Sequence, residues 1–281
     1  MKIIKLLKTV VRITAKRKKW QYDSIGYCPS CNSRALFIAS LDQRNGLLNF
    51  IKTSKLSNIF NESLLERENY FCIYCSANYR MRVHAETVLK ILNMPSANDM
   101  LQRLHSDPYF AVYETAAYNI FRNAKLRRLP NYVISEYFET APFGTFVKGV
   151  RNENLECLTF SDNRFDLLIN SDVLEHVHDL DKALSEIKRV LKPGGYHVFT
   201  IPVDEELQTS QTRARVVNGR LEHILEPVMH GDSIRNGGIL AFKDFGRDVL
   251  DYFSRDGFAC KEYRYYKNNK YVTSVYYAQK R

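Results

Sequence analysis

Four of the six cysteines stand in two pairs of identical spacing, Cys28-Pro-Ser-Cys31 and Cys72-Ile-Tyr-Cys75. Two thiolates three positions apart on a tight turn can face one ion, and a second pair closes a tetrahedron around Zn2+. Pro29 stiffens the first turn, and Asn32 tolerates the left-handed backbone often needed just past a metal knuckle. With four thiolates the predicted zinc is structural and keeps no open position for catalysis. The 40 intervening residues are more than a compact zinc site uses, so an inserted hairpin or helix is expected around LDQRNGLLNFIK. A disulfide framework would imply export, for which no secretory signal is legible, and a redox dithiol would need a βαβ unit around CPSC. Cys157 and Cys260 stand alone in apolar surroundings and read as core residues.

The elements that would position further chemistry follow from periodicity. AETVLKIL and ANDMLQRLH have helical spacing and are split by Pro95. From about Ser106 strands and helices alternate, which favours a parallel sheet with helices on both faces. YVIS is a strand ending at Glu136, and FDLLINSD is a near-continuous apolar strand. Asp181 is placed as the cap of a helix whose apolar face is Ala183, Leu184, Ile187, Val190 and Leu191. Lys192-Pro193-Gly194-Gly195 ends that helix, and YHVFTIP is the next strand. A helix over FGRDVLDYFSRDG precedes two β-rich segments joined by Lys267-Asn268-Asn269-Lys270, which read as an antiparallel hairpin at a sheet edge.

The run FDLLINSDVLEHVHDLDKALSEIKRVLKPGGYHVFTIP resembles the middle of a class I S-adenosylmethionine-dependent methyltransferase of the type 11 group. The resemblance extends over roughly residues 108–281 and is specific over 160–202. A weaker one links the cysteine segment to zinc-ribbon-like modules that precede such domains. It implies an α/β fold: a Rossmann-like methyltransferase sheet with helices on both faces and a C-terminal antiparallel hairpin, plus the small N-terminal module. It implies S-adenosylmethionine as cofactor and transfer of its methyl group to an acceptor that the residues do not identify. Glu136 matches the acid that takes the ribose hydroxyls, and Asn154, with Glu153 adjacent, matches the position that meets the adenine. A carboxamide both donates and accepts, which suits an adenine edge. Ser171 and Asp172 fall where the backbone lines the other side of the cofactor. Solvated loop acids and a turn-forming asparagine are the competing readings.

Glu114 matches the acid that ends the first strand, and a glycine-rich loop should follow it. No glycine occurs between Gly46 and Gly144, and the glycine positions fall on Ala116, Tyr118 and Ile120. Glycine serves there because backbone must approach the ligand without a Cβ in the way. Either the loop takes another path with Tyr118 lining the pocket, or the site is closed. The second alternative describes a catalytically inactive binding or scaffold protein with structural zinc. For proton removal the candidates are His176 in LEHV, and His230 with Asp232 in MHGDS, where Gly231 allows a tight turn that aims both inward. The last two lie in a long polar insertion after FTIP, expected to cover the pocket as a lid; an ordinary surface turn is the alternative.

The formal charge of +10 is unevenly placed. Residues 1–20 hold eight lysines and arginines and no acid, which leaves 33 basic against 31 acidic residues beyond them. The near-neutral body argues against a nucleic-acid partner. In the tail, Ile3, Ile4, Leu6, Leu7, Val10, Val11 and Ile13 share one side of a helix, and Lys2, Lys5, Lys8, Arg12 and Lys16 the other. Such a basic amphipathic helix docks on an anionic membrane surface or covers an apolar patch of its own domain. The expected location is cytoplasmic, membrane-peripheral in the first case, and no run of 18 uncharged apolar residues occurs. The predicted plan is a basic helix over 1–20, the cysteine module over 21–84, a helical linker over 85–107 and the catalytic domain over 108–281.

Overall fold

The computed structural model describes residues 20–53, 58–117, 120–122, 125–232, 235, 237–255 and 257–281. The predicted basic helix over 1–20 therefore lies outside the described residues except for Trp20, which opens a strand. The chain divides into two compact units, one of residues 1–99, 120–123 and 264–273, the other of 100–119, 124–263 and 274–281.

The first unit contains an antiparallel sheet of β1 (Trp20–Cys28), β2 (Ser33–Ser40) and β3 (Tyr70–Cys72). Cys28 pairs with Ser33 and Phe37 with Cys72, so the two cysteine turns are carried on adjacent strand ends. The long spacer is helical: α1 (Leu41–Thr53) covers the predicted LDQRNGLLNFIK segment, and α2 (Asn58–Asn69) follows. Next comes α3 (Tyr79–Ile91), capped by Asn78, whose Oδ1 accepts from Met81 N at 2.9 Å. The Arg82 guanidinium lies between the rings of Phe37 and Tyr79, 3.8 and 4.0 Å from their centroids. Both predicted linker helices exist, the second being α4 (Ala97–Ser106), but α3 starts before residue 84 and belongs wholly to the first unit. The boundary predicted at 84/85 thus cuts a helix.

The large sheet is built from β4 (Val112–Thr115), β5 (Tyr132–Glu136), β6 (Phe146–Val147), β7 (Val150–Asn152), β8 (Phe165–Ser171), β9 (Leu191–Thr200), β16 (Phe258–Lys267) and β17 (Lys270–Lys280). The intervening short strands, β10 (Gln211–Thr212), β11 (Ala214–Val217), β12 (Arg220–His223), β13 (Met229–His230), β14 (Ile239–Leu240) and β15 (Lys243–Asp244), make three two-stranded pairs of their own. The order of the large sheet is β16-β17-β9-β8-β4-β5-β7-β6. Strands β7, β5, β4, β8 and β9 run parallel, while β17 and β6 are antiparallel to their neighbours. The chain goes outward from β4 to β5 and β7, then returns to the other side of β4 for β8 and β9. The order therefore reverses between β4 and β8.

Asp166 and Gly195 explain two motifs of this sheet. The Asp166 carboxylate accepts from Ala111 N at 2.7 Å and from Lys192 Nζ at 2.7 Å, which binds the amino ends of β4, β8 and β9 together. A Cβ on Gly195 would stand 2.9 Å from Lys192 O and 3.2 Å from Asp166 O, so the second glycine of Lys-Pro-Gly-Gly is required for close backbone approach. The helix before it, α5 (Leu180–Val190), is capped by Asp179, whose Oδ1 accepts from Lys182 N, and not by Asp181, which sits in its first turn. Its buried face is Leu180, Ala183, Ile187 and Val190, packed in one cluster with Tyr113, Leu168, Phe199 and Tyr276. Among the described residues α5 is the only α-helix in a crossover between parallel strands; a 3-10 turn at Leu126–Arg128 stands between β4 and β5. The expectation of helices on both faces is thus too rich in helix. The predicted C-terminal helix is likewise reduced to α6 (Val249–Phe253). Asn268 and Asn269 have φ of 48° and 61°, the mirror-image turn that the right-handed twist of a two-residue hairpin demands.

Among the described residues no helix is long and apolar enough to cross a membrane. Ile187 is fully buried and Ser185 on the same helix is exposed. Truncating Ile187→Ala should lower unfolding stability by about 2–4 kcal/mol, whereas Ser185→Ala should stay within about 0.5 kcal/mol; urea unfolding of both variants measures the difference.

Candidate active site and cysteine centre

The four paired cysteines converge. Cys28 Sγ lies 3.7 Å from Cys75 Sγ, Cys31 Sγ lies 3.8 Å from Cys72 Sγ, and all four sulfurs fall within 4.8 Å of one another. A disulfide would place its sulfurs about 2.05 Å apart. Thiolates about 2.3 Å from a tetrahedral ion stand roughly 3.8 Å from each other. The two turns are built alike: Asn32 N donates to Cys28 O and Ser76 N to Cys72 O, each at 2.8 Å, with Asn32 and Ser76 left-handed at φ 57° and 58°. Cys28 and Cys72 are buried with Ala35 and Phe37. Cys157 is exposed, contrary to the expected core placement, because it sits in the turn after Asn154 rather than on a strand. Cys260 is partly buried against the core of the large sheet.

In open α/β sheets a ligand sits beyond the carboxyl ends of the strands where the order reverses. The end of β5 carries Glu136, 8% exposed. Its Oε2 accepts from Ala117 N at 3.2 Å and its Oε1 from Tyr137 N at 3.0 Å. Burial holds its carboxyl above the ordinary carboxylate range. The next loop is tied down by fully buried Asn152, which accepts from Phe138 N at 2.8 Å and donates to the carbonyls of Phe138 and Ala141. Asn154 is half-buried beyond β7. Its Oδ1 accepts from Glu156 N at 2.9 Å, and its amide nitrogen makes no hydrogen bond among the described residues. Ser171 is buried at the end of β8. Asp172 follows it in a left-handed conformation (φ 50°) and accepts from Thr200 Oγ1 at 2.8 Å.

Just past β8 the turn Leu174–His176 presents a second group. Glu175 is fully buried; its Oε1 lies 3.7 Å from His176 Nε2 and 3.9 Å from His230 Nδ1. The two imidazoles meet edge to face with centroids 4.8 Å apart. His176 Nδ1 lies 2.8 Å from Leu240 O, and burial lowers its pKa below the usual histidine range. A carbonyl can only accept, so Nδ1 carries the proton and Nε2 keeps a lone pair. His230 and Leu240 come from the β13–β14 pair, inside the insertion after β9 that sequence reasoning expected to act as a lid. Asp232 and Arg235 of the same insertion exert their charges on both Glu136 and His176.

Several sequence-predicted residues take other work. Glu114 is a strand residue whose carboxylate accepts from the buried Tyr132 hydroxyl at 2.7 Å, so it closes the sheet interior rather than meeting a ligand at the strand tip. Glu153 accepts from Arg151 Nε, Thr159 N and Thr159 Oγ1 at 2.6, 3.0 and 2.6 Å, which commits both oxygens to the fold. Asp232 pairs with Arg235, whose other nitrogen donates to Tyr137 O; an anion held by a guanidinium is a poor base, and the expected partnership with His230 is replaced by one between His230 and Glu175. Ala116 lies half-buried in the loop after β4, and Tyr118 lies outside the described residues. Sequence reasoning missed Glu175, Asn152 and Arg235; only for Glu175 was there a signal, its place beside His176 directly after a strand end. An open cavity of about 620 Å³, lined by Leu104, Tyr109, Asn131, Arg164 and Lys192 among others, lies at the opposite, amino ends of the strands.

Gly238 supports this arrangement. Its φ is +85°, and a Cβ there would fall 2.2 Å from His230 O. Gly238→Ala should therefore displace the β13–β14 pair and lower the melting temperature, costing about 2–3 kcal/mol or more from strain plus the clash; Gly219→Ala, left-handed but in open space, should cost only the backbone strain, about 1–2 kcal/mol. Thermal unfolding of the two variants checks this ordering.

Residues 134–199 match the model of a methyltransferase domain, from within β5 to within β9 and so after the segment where the glycine-rich loop was expected. Over 42 residues, 15% of this chain and 16% of the relative, the chain is 60% identical to the ubiquinone/menaquinone biosynthesis C-methyltransferase of Hydrogenovibrio crunogenus. The matched part thus spans about a sixth of that curated relative's length. Among solved structures, an S-adenosylmethionine-dependent methyltransferase from Mesorhizobium loti is 13% identical over 61% of this chain and 81% of that one, with a TM-score of 0.36. The 1,6-didemethyltoxoflavin-N1-methyltransferase of Burkholderia thailandensis, solved with 1,6-didemethyltoxoflavin and S-adenosylhomocysteine, is 13% identical over 92% and 99% of the two chains, with a TM-score of 0.39. From β5 to β9, where the parallel strands carry Glu136, Glu175 and His176 at their ends, the chain is similar to a methyltransferase domain.

Proposed function

We propose that the protein is an S-adenosylmethionine-dependent methyltransferase with a structural zinc ion in its first unit. The observation that carries the reading is the buried carboxylate of Glu136 at the carboxyl end of β5, in a sheet whose strand order reverses beside it and whose last strand is antiparallel. Bound S-adenosylmethionine would supply a sulfonium methyl group for an acceptor lone pair to attack, the C–S bond breaking with its electron pair left on sulfur. Glu136 would accept hydrogen bonds from a pair of ribose hydroxyls, and the Asn154 amide nitrogen, which makes no hydrogen bond among the described residues, would donate to an acceptor edge of adenine. Ser171 and Asp172 border the same crevice. His176 and His230, 3.7 and 3.9 Å from Glu175 Oε1 just past β8, are the imidazoles that would take an acceptor proton. Holding nucleophile and methyl in line is the larger part of the task.

One observation favours the alternative of a non-catalytic binding protein. Ala117 N already occupies one oxygen of Glu136, so the glycine-free loop lies against the residue that a ribose would need. Binding separates the two readings. A ligand that binds only the folded state raises the melting temperature. Millimolar S-adenosylmethionine or S-adenosylhomocysteine should do so here, and no shift with either would favour the scaffold reading.

Glu136→Gln keeps the shape and removes the charge, so it should weaken S-adenosylhomocysteine binding by about tenfold or more, equivalent to roughly 1.4 kcal/mol. A cofactor that prefers ionised Glu136 binds better as pH rises through the carboxyl's pKa. Because burial raises that pKa, wild-type affinity should fall with acidification at a pH above the ordinary carboxylate range, and the dependence should flatten in the variant. Calorimetric titration across pH measures both effects.

For the cysteine centre, the sulfur spacing and the paired left-handed turns fit a tetrahedral Zn2+. Elemental analysis should find one zinc per chain in addition to any ion held elsewhere. Cys28→Ser with Cys72→Ser should remove it and lower the melting temperature. A metal-free protein with wild-type melting would contradict the zinc.

A further inference from the structure

We infer that Glu175, His176 and His230 form a second metal site, for a first-row divalent cation, at the carboxyl end of the large sheet. The three residues each offer one donor atom within 4.8 Å of the other two. The distances from Glu175 Oε1, 3.7 Å to His176 Nε2 and 3.9 Å to His230 Nδ1, are those of donors around a common centre. An ion about 2.0–2.2 Å from each of three donors sets them roughly 3–4 Å apart. Two imidazoles and one carboxylate, with further positions open, suit Zn2+, Fe2+ or Mn2+ rather than the all-oxygen shells of Ca2+ or Mg2+.

The surroundings prepare these donors. A ligating histidine usually donates its other ring N–H to a backbone carbonyl, which sets the tautomer and the ring angle. His176 does this: Nδ1 holds its proton against Leu240 O at 2.8 Å, which leaves Nε2, 3.7 Å from Glu175 Oε1, as the ring nitrogen with the lone pair. Leu240 belongs to β14, and β14 pairs with β13, which carries His230. One short hairpin therefore supplies both a donor and the carbonyl that aims another. The backbone of Glu175 is anchored too, its carbonyl accepting from Phe242 N at 2.8 Å. Glu175 itself is fully buried, and a divalent ion between it and the two imidazoles would set charge opposite to its own in that space. The same cluster without a metal is a carboxylate flanked by two imidazoles in edge contact.

Cation binding does not depend on the methyltransferase reading; only its use in catalysis would. The zinc-replete full-length protein, dialysed against a weak chelator, is titrated with Co2+ and followed by visible absorption. Expected is one equivalent bound with the weak bands of nitrogen and oxygen donors and without the near-ultraviolet charge-transfer band of cobalt thiolate. Glu175→Gln and His230→Ala should each weaken that binding at least tenfold while circular dichroism stays that of the wild type. His230 is partly exposed, so its variant tests the site even if Glu175→Gln fails to fold. Absence of this spectrum in the wild type at millimolar Co2+, or undiminished binding in His230→Ala, overturns the site. S-adenosylhomocysteine binding measured on the same samples separates loss of the cation from loss of the cofactor pocket.

Discussion

Placing β4 between β5 and β8, with all three strands parallel, is the constraint on which the candidate site depends. Parallel strands need connections that cross from one end of the sheet to the other, and those connections emerge at the carboxyl ends. Because the chain leaves β4 on one side and returns on the other, the loops after β4 and β8 part instead of packing on each other. Glu136 at the end of β5, and Glu175 with His176 after β8, stand around that parting. The amino ends are closed in the opposite manner, by Asp166 holding Ala111 N and Lys192 Nζ.

Two carboxylates are buried near the carboxyl ends of the strands, and the insertion after β9 brings charged and polar groups close to both. Arg235 pairs with Asp232 and reaches Tyr137 O beside Glu136, while His230 reaches Glu175. The insertion has little regular structure, three two-stranded pairs, and its apolar content is modest. It is held to the sheet by polar contacts, namely the Leu240 carbonyl on His176, the Phe242 N–H on Glu175 O and the Arg235 contact, together with the buried Ala241, Phe242 and Phe245 at its end. Such polar contacts are individually weak and directional.

The first unit rests on different physics. A three-stranded sheet with two inserted helices buries a small core, and Cys28 and Cys72 form part of it. Small units of this kind commonly borrow stability from a metal. The cation–π stacking of Arg82 on Phe37 and Tyr79 adds a charged residue to that core without leaving its charge unsatisfied.

Much of this was legible from residue order. Cysteine spacing located the four sulfurs, since two local turns differ only in which strands carry them. The apolar runs of β5, β8 and β9, the helix face of α5 and the Asn268-Asn269 turn could be read because each depends on neighbours within a few positions. The roles of single polar residues were less accessible. Glu114, Glu153 and Asp232 are acids at plausible positions, yet Tyr132, Thr159 and Arg235 claim them. The reduced helix content also escaped reading, because periodicity reports an amphipathic face but not whether a crossover has room for it.

Sequence alone determined the strand ends and the cysteine turns, whose geometry is set by local backbone preference and by residues two to four apart. Tertiary structure decided which side chains share a space. His230 is 54 residues from His176 in the chain, and only the β13–β14 pair, admitted by the bare backbone of Gly238, brings its ring to Glu175. Contacts at that separation come from packing, and packing is a property of the assembled fold rather than of any stretch of residues within it.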